Sequence, residues 1–273
     1  MTLGGSVAGG YLAQLTNLGV PYVARTAILL GMFILAFVMM HDLGFTPARG
    51  GRPVAEVKKI VHSSIEHGLK VPAIRAIMLA GMFIGGIEFY VYYALQPHLL
   101  NLWGNQEAYG IAGLVAALLA AAQIVGGLLT PRIRAAFQRR TTALLILQGL
   151  AVILLALIGL ISNFWVVIVL ITLWGLVGAA TIPIRQTYLN GMIPSQQRAT
   201  ILSFDSLINS AGGIVAQPAL GKSADIWGYR VSFLLSAAGS ALALPFIARA
   251  RQLNTPADRA TEPSASSAKE IDA

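Results

Sequence analysis

Glu88 carries the clearest chemistry in the sequence, because it is an ionisable side chain in the middle of a long apolar run. A charged side chain at the centre of a membrane costs about 2.5–3.5 kcal/mol on insertion scales, so such a residue faces a cavity, has a partner or stays protonated. Tyr92 and Gln96 share its helical face, as do Gly81 and Gly85. We therefore predict that these residues line a cavity that binds a small-molecule substrate and protons. A structural hydrogen bond to a neighbouring helix is the alternative.

Arg185 and Asp205 form a second candidate pair. Arg185 lies near one end of its apolar run, and Asp205 lies about two turns inside the start of the next run. If consecutive runs are antiparallel helices, the two side chains lie at matching depths. This placement predicts an interhelical ion pair with a structural or gating role, rather than direct contact with a substrate.

Enzymatic and metal chemistry have little support in the sequence. The four histidines lie in or near predicted loops without metal-ligand spacing, and the chain contains no cysteine, which excludes a thiolate metal site and a disulfide framework. No nucleophile and base are clustered as covalent catalysis requires. We expect neither a catalytic site nor a cofactor.

The composition indicates an all-α polytopic membrane protein whose main partner is the lipid bilayer. Of 273 residues, 56% are hydrophobic and 11% are charged, and the mean hydropathy is +0.71. A soluble domain carries about 25% charged residues. Most charges lie in residues 47–75, 131–140 and 249–273, between or after apolar runs. The net charge of +8 is therefore explained by membrane orientation, and we expect no nucleic-acid partner.

Seven apolar runs are long enough to cross a hydrocarbon core of about 30 Å. An eighth run, at residues 3–15, is too short and glycine-rich to span alone and resembles the second half of a helix. The seven predicted spans are residues 18–40, 73–100, 109–130, 142–162, 164–188, 199–221 and 230–249.

The basic residues predict the orientation of these spans. All but three of the 19 Lys and Arg residues collect on one side when the spans alternate, and the exceptions are Arg25, Lys222 and Arg230. Basic loops face the cytoplasm, so this pattern predicts a multi-pass protein of the cell membrane with a cytoplasmic C-terminus. The opening segment then lacks a basic anchor, and we expect the sequence to lack its beginning.

The pattern divides the chain into four regions. Residues 1–43 hold the opening helix and the first full span, and residues 73–250 hold the other six spans. Residues 44–72 form a cytoplasmic loop in which 53–69 show the spacing of a surface amphipathic helix. The polar residues 251–273 predict a disordered cytoplasmic tail.

Small residues at a spacing of four predict close helix packing. The pattern occurs twice in the apolar runs. The glycines expected to pack are Gly5, Gly9, Gly10, Gly81 and Gly85.

Three short motifs resemble one family of membrane proteins. The first begins at residue 194 and reads PSQQRAT, with Arg198 before an apolar run. The second begins at residue 218, reads PALGKSADIWGY, and contains Pro218, Gly221, Asp225 and Gly228. The third, GSVAGG at residues 5–10, is similar to a G-P-x-x-G-G pattern with Ser6 in place of proline. In order along the chain, the GSVAGG, PSQQRAT and PALGKSADIWGY motifs resemble the fifth helix, the entry to the eleventh, and the turn from eleven to twelve in Major Facilitator Superfamily transporters.

The resemblance covers residues 1 to about 250 and implies part of helix five followed by helices six to twelve. It implies a secondary transporter without a cofactor, monomeric when complete, that works by alternating access around a midplane site. Proton-coupled export of amphipathic or drug-like molecules is the preferred interpretation. Proton-coupled uptake of a sugar or organic acid is the first alternative, and a non-transporting or channel-like membrane protein, or an inactive fragment, is the second.

One loop departs from the family pattern. Family members often carry an acidic residue in a G-x-L-A-D-R-x-G-like loop between helices eight and nine. This chain has GLLTPRIR from Gly127 to Arg134. The charge-relay role of that loop is therefore not carried over.

Overall fold

The computed structural model describes residues 2–40 and 65–259, and they form a helical bundle that confirms the predicted all-α membrane fold. Three short helical turns, at Ile65–Leu69, Ser195–Gln197 and Pro256–Asp258, accompany the longer elements. The α-helices are α1 (Thr2–Leu15), α2 (Gly19–Met39), α3 (Pro72–Trp103), α4 (Tyr109–Ala135), α5 (Arg140–Leu160), α6 (Phe164–Asn190), α7 (Arg198–Ala241) and α8 (Ala243–Gln252).

Within the described residues, six helical stretches are long and apolar enough to cross a membrane, rather than the seven predicted. The difference lies at Gly228, where the helix α7 is interrupted by φ 83° and ψ 164°. This left-handed φ suits glycine, which has no Cβ to clash with the backbone. The stretch Ser195–Gln252 thus contains both of the last two predicted spans.

The two ends of the bundle differ in chemistry. At one end the start of α5 lies beside the chain after α8, and Arg140 donates to the carbonyls of Ala257 and Arg259. We call this the basic end, because most of the arginines at the helix termini lie there. At the other end Trp103 of α3 packs on Phe164 and Trp165 of α6, with ring centroids 4.9 and 6.4 Å apart. We call this the tryptophan end.

Local capping sets several helix boundaries. The Asn163 side chain accepts from the backbone N–H groups of Trp165 and Val166 at 3.0 and 3.1 Å, so it satisfies donors left free at the start of α6. Gly104 ends α3 in the left-handed conformation, φ 81°, that is typical of a helix C-terminus.

Both ends of α5 are capped by residues that are distant in sequence. At its start, the Asp258 carboxylate accepts from the Thr141 backbone N–H at 2.8 Å and from the Thr141 hydroxyl at 2.9 Å. At its end, Arg230 donates to the carbonyls of Gly159 and Leu160 at 3.1 and 2.7 Å. An anion at the N-terminus and a cation at the C-terminus both stabilise the helix dipole.

These contacts correct the prediction of a disordered tail from residue 251. Residues 251–259 are ordered, and the Asp258 side chain is buried. The tail looked disordered because its composition is polar, but its polar groups are satisfied by α5 and α6. The remainder of the predicted tail, and residues 53–64 of the predicted amphipathic helix, lie outside the described residues.

Glycines allow α3 and α7 to approach closely. A Cβ on Gly86 would overlap the Gly212 and Gly213 backbone, and one on Gly85 would lie 3.2 Å from the Asn209 carbonyl oxygen. A Cβ on Gly81 would overlap the side chains of Asn209 and Arg185. Gly81 and Gly85, for which the sequence predicts a packing role, both lie at this contact between α3 and α7.

The glycine pair in α1 is a correction. A Cβ on Gly5 or Gly9 would meet nothing within 4 Å among the described residues. Of the three glycines predicted to pack in α1, Gly10 makes the close contact, because its Cβ would lie 2.9 Å from the Cα of Gly113 in α4. The spacing of four identified the right kind of residue, but which helical face meets a partner depends on the position of α4.

Gly212→Ala tests the α3–α7 contact. The new Cβ would overlap the Met82 carbonyl oxygen, and overpacking of this kind costs about 1–3 kcal/mol. We expect a lower unfolding midpoint in detergent, measured by intrinsic fluorescence. The matched control is Gly221→Ala on the same helix, where nothing lies within 4 Å and the midpoint should stay constant or rise. Equal shifts in the two variants would contradict the close contact.

Candidate functional site

Glu88 lies between two chambers and lines both. The larger, of about 610 Å³, is bordered by α3, α4 and α6 and is called the large chamber. The second, of about 400 Å³, lies toward the basic end between α3, α6 and α7 and is called the polar chamber. The carboxyl group therefore faces cavities, and within residues 2–40 and 65–259 the structure gives it no hydrogen bond or ion pair.

Aromatic and small residues shape the large chamber. Tyr92 and Trp174 meet edge to face, with ring centroids 5.9 Å apart and an interplanar angle of 62°. Gln123 of α4 is the other polar side chain in the wall beside Glu88 and Tyr92. Small and apolar residues complete it and leave its volume open, namely Gly127, Gly175, Gly178, Ala179, Ile182 and Pro183.

Gln96 does not reach the large chamber. It lines a separate cavity of about 200 Å³ toward the tryptophan end, which shares Tyr92 and Gln123 with the large chamber. The predicted stripe of Glu88, Tyr92 and Gln96 therefore runs along three successive cavities. An eight-residue separation on a helix corresponds to about 12 Å along its axis, so one face need not mean one pocket.

The polar chamber is lined mainly by hydrogen-bonding side chains. They come from the basic-end part of α6 and the first part of α7, with Glu88 at the edge toward the large chamber. Its polar residues are Glu88, Thr181, Arg185, Gln186, Asn190, Asp205, Ser206 and Asn209.

Arg185 and Asp205 form a two-pronged ion pair in the wall of the polar chamber. The guanidinium nitrogens lie 2.7 and 2.6 Å from the two carboxylate oxygens. The side chains are 17% and 7% exposed, so water screens this pair weakly. The geometry thus brings together the two residues whose depths matched in the sequence.

The ion pair is also bonded to α3, the third helix that borders the polar chamber. Arg185 donates to the Ile77 carbonyl of α3 at 3.2 Å, and the Asn209 amide donates to Asp205 at 3.3 Å. Gly81 leaves room for this network, since a Cβ there would lie 2.6 Å from an Arg185 guanidinium nitrogen. The three helices that border the polar chamber are therefore joined at one point.

The family-like motif residues lie at the start of α7 and in its interior, around the interruption at Gly228. Arg198 begins α7 and donates to the Asn190 carbonyl at 3.5 Å, which links α7 to the end of α6. Pro218 lies inside the helix, and Gly221 and Asp225 precede the reversal at Gly228. These residues lie outside the walls of the two chambers.

Two parts of this arrangement were not predicted from the sequence. Trp174 looked like one more apolar residue of a span, and only the packing of α6 against α3 reveals its contact with Tyr92. The docking of Asp258 on Thr141 joins residues that are 117 positions apart. Its one sequence signal is an isolated Pro-Ala-Asp turn after the last apolar run.

Comparison with known proteins identifies the family. Residues 77–272 match the family model described as Major Facilitator Superfamily. No curated protein matches the chain. Among solved structures, it is similar to a bacterial homolog of the human lysosomal transporter Spinster in an inward-facing, unoccupied conformation, with a TM-score of 0.55 and 16% sequence identity. That match covers 94% of this chain and 67% of the other. The chain belongs to the Major Facilitator Superfamily, and it is a multi-pass membrane protein of the secondary-transporter class.

Proposed function

We propose that the protein exports amphipathic, drug-like molecules in exchange for protons. The position of Glu88 between two chambers carries this proposal. A carboxyl group that borders both cavities can bind a proton from one side and release it toward the other when access alternates.

The large chamber suits an amphipathic molecule with a positive charge. Tyr92 and Trp174 offer aromatic surface, which attracts organic cations as well as apolar groups. Glu88 supplies a negative charge when it is ionised. The volume of the large chamber, about 610 Å³, is in the range of small-molecule sites. Competition between a proton and a cationic substrate for Glu88 would couple the two movements in opposite directions.

The distribution of basic residues supports a cytoplasmic location for the basic end. Arg132 and Arg134 end α4, Arg140 begins α5, and Arg249 and Arg251 end α8. Basic residues flanking spans are retained on the cytoplasmic side. In this orientation the polar chamber lies on the cytoplasmic side of Glu88 in the cell membrane.

Proton-coupled uptake of a sugar or an organic acid is the second candidate. It is favoured by the polar chamber, whose amide and hydroxyl groups suit a ligand with many hydroxyl or carboxylate oxygens. The Arg185–Asp205 pair already uses some of that hydrogen-bonding capacity, which is why export of an amphipath is preferred.

Proteoliposomes test the proposal. The purified protein is reconstituted, a pH gradient is imposed, and movement of radiolabelled tetraphenylphosphonium is followed, with a labelled sugar and a labelled organic acid in parallel. We expect the pH gradient to drive tetraphenylphosphonium against its concentration gradient and a protonophore to stop it. Movement of the sugar or acid instead would favour the second candidate. Gradient-independent leakage beyond that of protein-free vesicles would indicate a channel, and no movement of any probe beyond that level would contradict transport by this chain.

A further inference from the structure

The chain after α8 crosses the basic end and joins two helices. Residues 253–259, which we call the C-terminal strap, begin at a turn where Asn254 adopts a positive φ of 45°, a conformation that asparagine tolerates. The strap then forms the short helical turn Pro256–Asp258. On one side it contacts the start of α5, and on the other the end of α6.

The contact with α5 is strong. Asp258 is 1% exposed and accepts two hydrogen bonds from Thr141, and Arg140 donates to two strap carbonyls. Arg139 and Arg259 add an antiparallel backbone bridge. Charge-assisted hydrogen bonds are about twice as strong as neutral ones, so this side holds the strap firmly.

The contact with α6 is weaker. The Thr255 hydroxyl donates to the Tyr188 hydroxyl at 3.1 Å, which is a neutral hydrogen bond. Gly191 at the end of α6 faces Ala257, and a Cβ on Gly191 would lie 3.0 Å from the Ala257 Cβ. Among the described contacts, no ionised group of the strap binds α6. The strap is therefore held more tightly on α5 than on α6.

The two helices have different relations to the chambers. α5 is capped at both ends by Asp258 and Arg230, and none of the residues that line the large or polar chamber comes from it. α6 supplies residues to both chambers, from Trp174 to Asn190. The strap thus joins a chamber-lining helix to a neighbour that lines neither of these two chambers.

We propose that the C-terminal strap is a latch that holds the basic end of α6 against α5, and that it releases α6 when the chambers open at this end. The proposal rests on the proposed alternating-access function. Its weak side, at Thr255, Ala257 and Gly191, is the part that opens. Its strong side, at Asp258, stays bound to Thr141 throughout the cycle.

Engineered disulfides test the latch in a chain that contains no natural cysteine. Gly191→Cys with Ala257→Cys locks the strap to α6, because Cβ atoms about 3.5–4.5 Å apart suit a disulfide and the site needs only a small adjustment. The matched control, Arg139→Cys with Arg259→Cys, locks the strap to α5. Antiparallel partners have Cα atoms about 4.5–5.5 Å apart, which also fits. Thr255→Val weakens the α6 side alone.

Hydrogen exchange over residues 181–190 measures how firmly the strap holds α6, and this measurement does not require transport. We expect oxidation of the α6 lock to slow this exchange about tenfold and to stop tetraphenylphosphonium movement, with both restored by reduction. The α5 lock should change neither by more than about twofold. Thr255→Val should speed exchange in α6 and leave the start of α5 unchanged.

Two results would overturn the latch. One is an oxidised α6 lock that leaves exchange over residues 181–190 unchanged, or that transports as fast as the same variant after its disulfide is reduced. The other is an equal effect of the two locks, which would make the strap a general brace. If no variant transports, including the unmodified protein, the proposed export function fails while the exchange data still decide whether the strap latches α6.

Discussion

Replacing Glu88 with glutamine is expected to abolish the response of transport to an imposed pH gradient. Glutamine keeps the size and hydrogen-bonding capacity of the side chain but cannot take up or release a proton. Tetraphenylphosphonium accumulation in proteoliposomes should therefore fall to the level of protein-free vesicles when the pH gradient is the driving force. Because Glu88 borders both chambers and its carboxyl has no hydrogen bond or ion pair within the described residues, the variant should fold normally.

The matched control for this variant is Glu107→Gln. Glu107 lies in the exposed turn between α3 and α4, outside every chamber wall described above, so its loss should leave gradient-driven transport intact. An unfolding midpoint equal to that of the unmodified protein separates a coupling defect from misfolding. Gradient-driven accumulation that persists in Glu88→Gln would remove Glu88 from the coupling mechanism.

Loss of one partner of the Arg185–Asp205 pair is expected to have the largest effect on stability. Breaking a buried ion pair leaves an uncompensated charge and costs about 3–5 kcal/mol. Asp205→Asn leaves the Arg185 guanidinium with the Ile77 carbonyl as its main partner, and Arg185→Gln leaves Asp205 with Asn209. Both single variants should lower the free energy of unfolding in detergent, measured by denaturant titration.

Paired substitutions separate the ion pair from a simple loss of packing. Arg185→Met with Asp205→Leu removes both charges, and replacement of buried pairs by apolar residues is often nearly neutral, so it should be more stable than either single variant. A charge swap should recover part of the single losses and lose the bond to Ile77. A double variant whose loss equals the sum of the single losses would contradict direct coupling between the two side chains.

Residue type and helical depth were enough to predict which side chains lie together at the centre of the candidate site. The alternation of antiparallel spans put Arg185 and Asp205 at one depth, and the structure joins them at 2.6 Å. The helical face of Glu88 includes Tyr92, and both residues line the large chamber. These inferences depend only on the geometry of one helix or of two consecutive helices.

Features that depend on the packing of distant segments could not be predicted in the same way. Gln96 shares the face of Glu88 but lines another cavity, because a helical face says nothing about depth. Gly10, rather than Gly5 or Gly9, meets α4 because the rotation of α1 is set by its partner. Residues 251–259 have the composition of a mobile tail, yet the buried carboxylate of Asp258 orders them.

Proton release on substrate binding is the most direct test of Glu88 as the shared site. Tetraphenylphosphonium is added to the purified protein in weakly buffered detergent solution, and the pH change is followed with an indicator dye. The account predicts that binding releases protons from the unmodified protein and from Glu107→Gln, and that Glu88→Gln binds the cation without releasing any. Equal proton release from Glu88→Gln, or binding to the unmodified protein without proton release, would contradict it.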